Sequence, residues 1–222
     1  MNAPQRQRST RDRPAKAPLS ENAVVDAALA ILKTDGLDAV TMRRVATALD
    51  TGPGSLYVYV NGREGLLQAM QDRVIATVDL DPVDPTQWRT QLHSLLARMH
   101  GAFVAHPGIA ATAMTTPPRT EAALRLLENM LGILLAGGID PQRAAWATDV
   151  LAALVTHAAV EDDVRRTDDV GGELHKTFTG LPADRFPLIT THAAQLVAGD
   201  GEQRFRFAVD VVLDGLLAGS AA

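Results

Sequence analysis

Tyr57 and Tyr59 are the only two tyrosines in the chain, and both fall within TGPGSLYVYVNGREGLL, Thr51 to Leu67. A Gly-Pro-Gly, an Asn-Gly and Arg63 surround them. A phenolic hydroxyl donates to phosphate oxygens, and an arginine fork pairs with a phosphate or a guanine edge. A valine such as Val58 can lie against a thymine methyl. This is the chemistry of a surface that meets a polyanion, and it makes or breaks no covalent bond.

Other reactive constellations are thin. The chain has no cysteine, so disulfides, thiolate metal sites and cysteine nucleophiles are excluded. His157 and Glu161 stand four apart, and His93 and His100 seven apart, on helical faces without a third ligand. No nucleophile-elbow spacing occurs, and the glycines at 52 and 54 follow no strand. The expectation is a protein that is not an enzyme and holds no metal and no cofactor.

Charge is distributed unevenly. Residues 1–65 carry nine Lys and Arg against seven Asp and Glu, and the rest carries twelve against nineteen. Arg6, Arg8, Arg11, Arg13 and Lys16 make residues 1–19 a basic, disordered arm of the kind that reaches for a polyanion. The N-terminus lacks a signal-peptide core, and no apolar run approaches the span of a bilayer. The expected location is the cytoplasm, with no membrane partner.

The elements that must position the tyrosines repeat at the helical period, and no stretch alternates as a strand. Ser20 caps a helix whose inner face is Val25, Ala28, Leu29 and Leu32 and which Gly36 ends. Thr41 caps a second, short helix with Met42, Val45, Ala46 and Leu49 inward, and Pro53 opens a third with Leu56 and Val60 inward. Asn61 and Glu64 form a capping box for a fourth helix carrying Leu67, Met70, Val74 and Val78. DLDPVDP, Asp79 to Pro85, marks a hinge. Longer helices follow. One carries Trp88, Leu92, Leu95, Met99 and Phe103, the next Leu124, Leu127, Leu131 and Leu134, and the next Trp146, Val150 and Leu154. Residues 167–185 read as loop, and Leu188–Ala198 and Glu202–Ala218 as the last two helices. The fold class is all-α: a helix-turn-helix domain at 20–78 and a bundle at 79–222.

Two short helices joined by a glycine-containing turn make a helix-turn-helix, whose second helix enters the major groove. The inward residues leave Arg43, Arg44, Ser55, Tyr57, Val58 and Tyr59 outside, while Arg63 falls in the first turn of the fourth helix. VTMRRVATALDTGPGSLYVYVNGREGLL resembles the DNA-binding domain of the tetracycline-repressor (TetR) family of bacterial regulators. By position, Arg43 resembles a base-reading residue. Thr41, Tyr57, Tyr59 and Arg63 resemble phosphate contacts, and Gly54, Ser55 and Val58 fall where the recognition helix meets bases. Gly62 departs from the family's usual Ser, Asn or charged residue and would loosen the start of the fourth helix.

RTEAALRLLENMLGILLAGGIDPQRAAWATDVLAALVTHAAVEDD resembles the C-terminal domain of the tetracycline-repressor branch, which forms the dimer and encloses a ligand. The resemblance makes His100, Phe103, Met114, Trp146, Asp149 and His157 candidates for lining a pocket. The stripe Phe205, Val209, Val212, Leu213 and Leu216 is wide for a surface helix, so with Val150 and Leu154 it is expected to form the homodimer interface. Tetracycline repressors hold their drug as a magnesium chelate through a histidine where this chain has Ala113 or Met114. That departure implies a largely apolar effector and no metal. The resemblance implies a regulator, most often a repressor, that binds a palindromic DNA operator as a homodimer and is released by a small molecule. The rival expectation is a small-molecule-binding or enzymatic bundle with a vestigial DNA domain.

Overall fold

The computed structural model describes residues 18–114, 117–167 and 170–218, and these form helices joined by turns. The basic arm expected at the N-terminus lies outside the described residues, apart from 18 and 19. Helix α1 (Glu21–Asp35) starts at Ser20, whose hydroxyl accepts from the Ala23 amide, and ends at Gly36, where φ is +80°. A 3₁₀ turn at Leu37–Ala39 leads to Thr41, which caps α2 (Met42–Ala48) by accepting from the Arg44 amide. Asp50 takes a positive φ in the turn before α3 (Pro53–Leu56), and Pro53 occupies the first turn of that helix. Val45, Ala46, Leu56 and Val60 are buried, so the two short helices are pinned from one side only.

Helix α4 (Gly62–Ile75) starts differently from the expectation. The Asn61 side chain makes no capping bond. Gly62 stands at φ +69°, a conformation glycine reaches without a Cβ penalty, so glycine here suits the entry to α4 and does not loosen it. Leu66, Met70 and Val74 bury one face, and Arg73 ties α4 to α1 through Asp26 and Asn22, both at 2.6 Å.

The chain leaves the helical path at 79–85 as expected, but the segment is fastened down. Arg98 donates to Asp81 at 2.8 Å, Asn129 to the Asp81 carbonyl at 2.9 Å and Gln91 to the Pro82 carbonyl at 2.8 Å. The body then consists of α5 (Trp88–Val104), α6 (Ile109–Ala113), α7 (Glu121–Ala136), α8 (Pro141–Thr167) and α12 (Gly201–Ala218). Between α8 and α12 lies an excursion of α9 (Val170–Thr179), α10 (Pro187–Thr191) and α11 (Ala193–Val197), packed on itself. Buried residues of α1–α4 and of α5–α8 and α12 form one connected core, with α4 touching α1, α5, α6 and α7.

Several expectations are corrected. Helix α9 occupies part of the segment read as loop, because Gly171 and Gly172 fall in its first turn and Val170, Leu174 and Phe178 recur at four-residue spacing. The helix expected over Leu188–Ala198 breaks at His192 (φ −107°, ψ 19°), one residue after the Thr190–Thr191 pair. The Thr190 hydroxyl there bonds back to the Phe186 carbonyl. On α7 the inner face is Ala123, Leu126, Met130, Ile133 and Leu134, while Leu124 points out. The polar residues of that helix, Glu121, Arg125, Glu128 and Asn129, recur on one side and leave this buried set on the other. On α8 the buried residues are Ala144, Ala147, Thr148, Leu151, Val155, Thr156 and Ala159, several of them small, and Trp146, expected at the cavity, lies outside. Small residues let α5 and α12 approach α8 closely.

Candidate functional site

The head presents a compact polar face. Tyr57 is 59% exposed and Val58 80% exposed, and Arg43, Gly54 and Ser55 are exposed beside them. Among the described residues the Arg43 guanidinium makes no bond, so it is available to a base edge or a phosphate. Tyr59 is half-buried and packs against the core, so only part of that ring can meet a partner.

Three other sequence-predicted contacts are engaged internally. Arg44 pairs with Asp35 at the end of α1. Thr41 accepts from the Arg44 amide, which leaves its hydroxyl proton for an outside acceptor. Arg63 donates from Nε to the Val40 carbonyl at 3.2 Å and reaches the Leu37 carbonyl at 3.5 Å, bracing the α1–α2 connection from α4. No local pattern announces this brace, because Arg63 lies 23 and 26 residues along the chain from its two acceptors.

Helix α4 runs from that brace into the body, where its far end faces a cavity of about 150 Å³ between α4, α5, α7 and α8. Ile75, Met99, Phe103, Leu126, Leu127 and Met130 supply apolar walls. Gln71, Thr148, Asp149 and Thr156 supply polar atoms. Thr112 on α6 donates toward Gln71 Oε1 at 3.4 Å, and Thr120, which caps α7, donates to Asp72 at 2.8 Å. Burial raises the Asp72 carboxyl above its ordinary range, against the opposing bond from Thr120. The turn before α6 touches the head directly. A side chain at Gly108 would meet Leu37 atoms at 3.0 Å, and the Gly108 amide donates to Asp163 of α8 at 2.8 Å.

Of the six cavity candidates, the structure brings together Phe103 and Asp149. His100 instead stacks on Phe205 with centroids 5.0 Å apart and lies 3.1 Å from Asp162. Met114, Trp146 and His157 are exposed and line no part of the cavity, because α8 turns its small residues inward. The sequence reading passed over Gln71, Thr148 and Thr156. The available signal was a glutamine inside the apolar stripe of α4, next to Met70, and two threonines eight apart on α8.

The expected interface stripe divides. Phe205, Val209 and Leu213 are buried within the protomer, in α12 where it packs on α8, so they are core and cannot meet a partner. Val212, Leu216 and Leu154 are half-buried. Exposed bulky apolar side chains on these two helices include Phe207, 70% exposed, and Val211 on α12, and Trp146 and Val150 on α8. Among the described residues, no helix is long and apolar enough to cross a membrane.

Residues 24–70 match the family described as bacterial regulatory proteins, tetR family, and residues 81–219 match the tetracyclin repressor-like C-terminal domain. The chain is 28% identical over 219 residues to the HTH-type transcriptional repressor DrrR1 of Streptomyces coeruleorubidus, spanning 92% of this chain and 80% of that protein. It also resembles the Streptomyces coelicolor TetR family protein ActR solved with (S)-DNPA. Identity is 33% and the TM-score 0.86, with 91% of this chain and 99% of that one covered. ActR solved with actinorhodin gives 32% and 0.85, over 91% and 97% of the two chains. The chain thus sets an exposed arginine and tyrosine face on α2 and α3 and a cavity beside the far end of α4. The chain belongs to the tetracycline-repressor family and is a ligand-responsive, DNA-binding transcriptional regulator.

Proposed function

We propose that the protein is a repressor that binds a palindromic operator as a homodimer in the bacterial cytoplasm and leaves it when a small, largely apolar molecule enters the cavity. The observation that carries this reading is the course of α4. At one end Arg63 braces the carbonyls of Leu37 and Val40 in the head, and at the other Gln71 and Ile75 face the cavity. An effector that alters the cavity wall therefore acts on an element that the head cannot ignore. It must bind the released state more tightly than the DNA-bound one, since equal affinity shifts nothing. The (S)-DNPA and actinorhodin complexes of ActR support small-molecule occupancy of a body of this shape.

In the head, Arg43 and Val58 are assigned to bases, with Gly54 and Ser55 close to them, and Tyr57, Thr41 and part of Tyr59 to phosphates. Arg44 and Arg63 support the head from within. In the body, Phe103 and Asp149 with Gln71, Thr148 and Thr156 are assigned to the effector, and Phe207, Val211, Trp146 and Val150 to the partner subunit. The test is capture of sheared genomic DNA on the purified protein. One recurrent pseudo-palindrome, with half-sites about one helical turn apart, is expected. Recovery of fragments with no common sequence would favour a ligand-binding bundle with a vestigial head.

A further inference from the structure

Given the reading that the cavity receives the effector, we propose that this effector is an apolar molecule carrying a protonated amine, which docks against Asp149. The polar atoms of the cavity are unequal in kind. Thr148 donates its hydroxyl proton to the Ala145 carbonyl at 2.7 Å. Thr156 donates to the Ala152 and Ala153 carbonyls at 3.1 and 3.0 Å. With those protons spent inside α8, both hydroxyls offer the cavity only lone pairs. Asp149, on the same helix, offers a carboxylate, and among the described residues it makes no hydrogen bond or ion pair. Among the described residues, no lysine, arginine or histidine lines the cavity, and the lining side chain with N–H groups to give is Gln71, across the cavity on α4.

A ligand must therefore bring donors to the α8 wall. A carboxylate ligand would meet an unpaired carboxylate and acceptor lone pairs with no cation to offset them. A neutral alcohol would satisfy one acceptor, but its apolar body would dehydrate Asp149 without neutralising it. An ammonium group supplies both the charge and three donors. The apolar remainder has Met99, Phe103, Leu126 and Met130 to rest on, and a cavity of this volume matches a single aromatic ring, with room toward its open mouth for a second.

The test uses three probes that share one ring system: 1-naphthylmethylamine, 1-naphthalenemethanol and 1-naphthoate, each titrated calorimetrically into the full chain at neutral pH. The amine is expected to bind at least about tenfold tighter than the naphthoate. Asp149→Asn should cost the amine about tenfold and should not weaken the alcohol, which no longer dehydrates a charge. Because Asp149 is exposed, that variant should keep the wild-type melting transition. Ala152→Leu, which fills the cavity, should abolish binding of all three. Naphthoate binding as tight as that of the amine, or an Asp149→Asn variant that still prefers the amine, overturns the charge assignment and leaves the cavity reading intact. Retained amine binding in Ala152→Leu places the amine elsewhere and also overturns it. Failure of every probe to bind the wild type overturns the cavity reading itself.

Discussion

The head and the body both leave large apolar side chains in water, but in different company. On α3 and the turn after it, Tyr57 and Val58 stand among Arg43, Ser55 and Gly54 on a helix four residues long. On α8 and α12, Phe207, Val211, Trp146 and Val150 stand on helices of 18 and 27 residues. A short element with donors interleaved suits a wet, charged partner whose phosphates accept hydrogen bonds. Long helices with neighbouring bulky apolar groups suit a dry partner that removes them from water, for which a second copy is the economical choice. Exposure alone does not separate the two regions; the neighbours of each exposed group do.

The largest effect should come from placing a charge on the dry face. Phe207→Glu is expected to yield monomers by sedimentation and to weaken operator binding by more than about a hundredfold, since one head holds only half the contacts. Its melting temperature as a monomer should show a folded chain, because Phe207 buries little within the protomer. Val209→Asp, two residues on, puts the charge in the core and should unfold the chain outright. If Phe207→Glu remains dimeric, the assignment of this face is wrong.

A smaller effect sharpens the other side. Arg43→Ala should cost about 1–3 kcal/mol per contact, and only at one base pair of each half-site. Arg63→Ala should lower affinity for all sequences alike, because it unties α4 from the Leu37 and Val40 carbonyls and so loosens the whole head. Binding to a panel of single-base operator variants separates the two. An equal loss on every variant for both mutants would remove Arg43 from base reading.

The two regions also differed in how much the sequence disclosed. In the head, local signals decide: Ser20, Thr41, Pro53 and Gly36 act within one turn of themselves, and the helices form where those residues require. The exposure of Tyr57 and Val58 followed directly from which neighbours had to be inside. In the body, side-chain size misled. Trp146, expected at the cavity, lies outside, while alanines and threonines of α8 face inward beside Leu151 and Val155. The α12 stripe was wide enough to cover both a core and a partner. The exposed Phe207 and Val211 stand outside that stripe, on the other side of the helix from Val209. The cavity's polar set (Gln71, Thr148 and Thr156) comes from α4 and α8, and no local pattern joins residues so far apart.

The smallest effect concerns what orients the dry face. Helix α12 is held to α5 by Arg89, which donates to Asp214 at 2.7 Å and to Asp210 at 3.1 Å, and by His93 at 3.0 Å from Asp210. The Arg89 bond holds the Asp210 carboxyl below its ordinary value of 3.8, with burial opposing and His93 adding to it. A carboxyl depressed in the folded state contributes stability that is present above its unfolded value and is lost as pH falls through the folded one. The link should therefore be intact at neutral pH and fail as the solution is acidified below about pH 4. Because the pair is exposed to solvent, its worth is under about 1 kcal/mol, or roughly 1–3 °C in melting temperature for a chain of this size. Asp210→Asn should melt lower than wild type by that margin at neutral pH and match it in acid, where the wild-type carboxyl has taken up its proton. Raising the salt concentration should narrow the neutral-pH gap. A gap that persists undiminished below pH 3 would mean that Asp210 acts through packing and not through its charge.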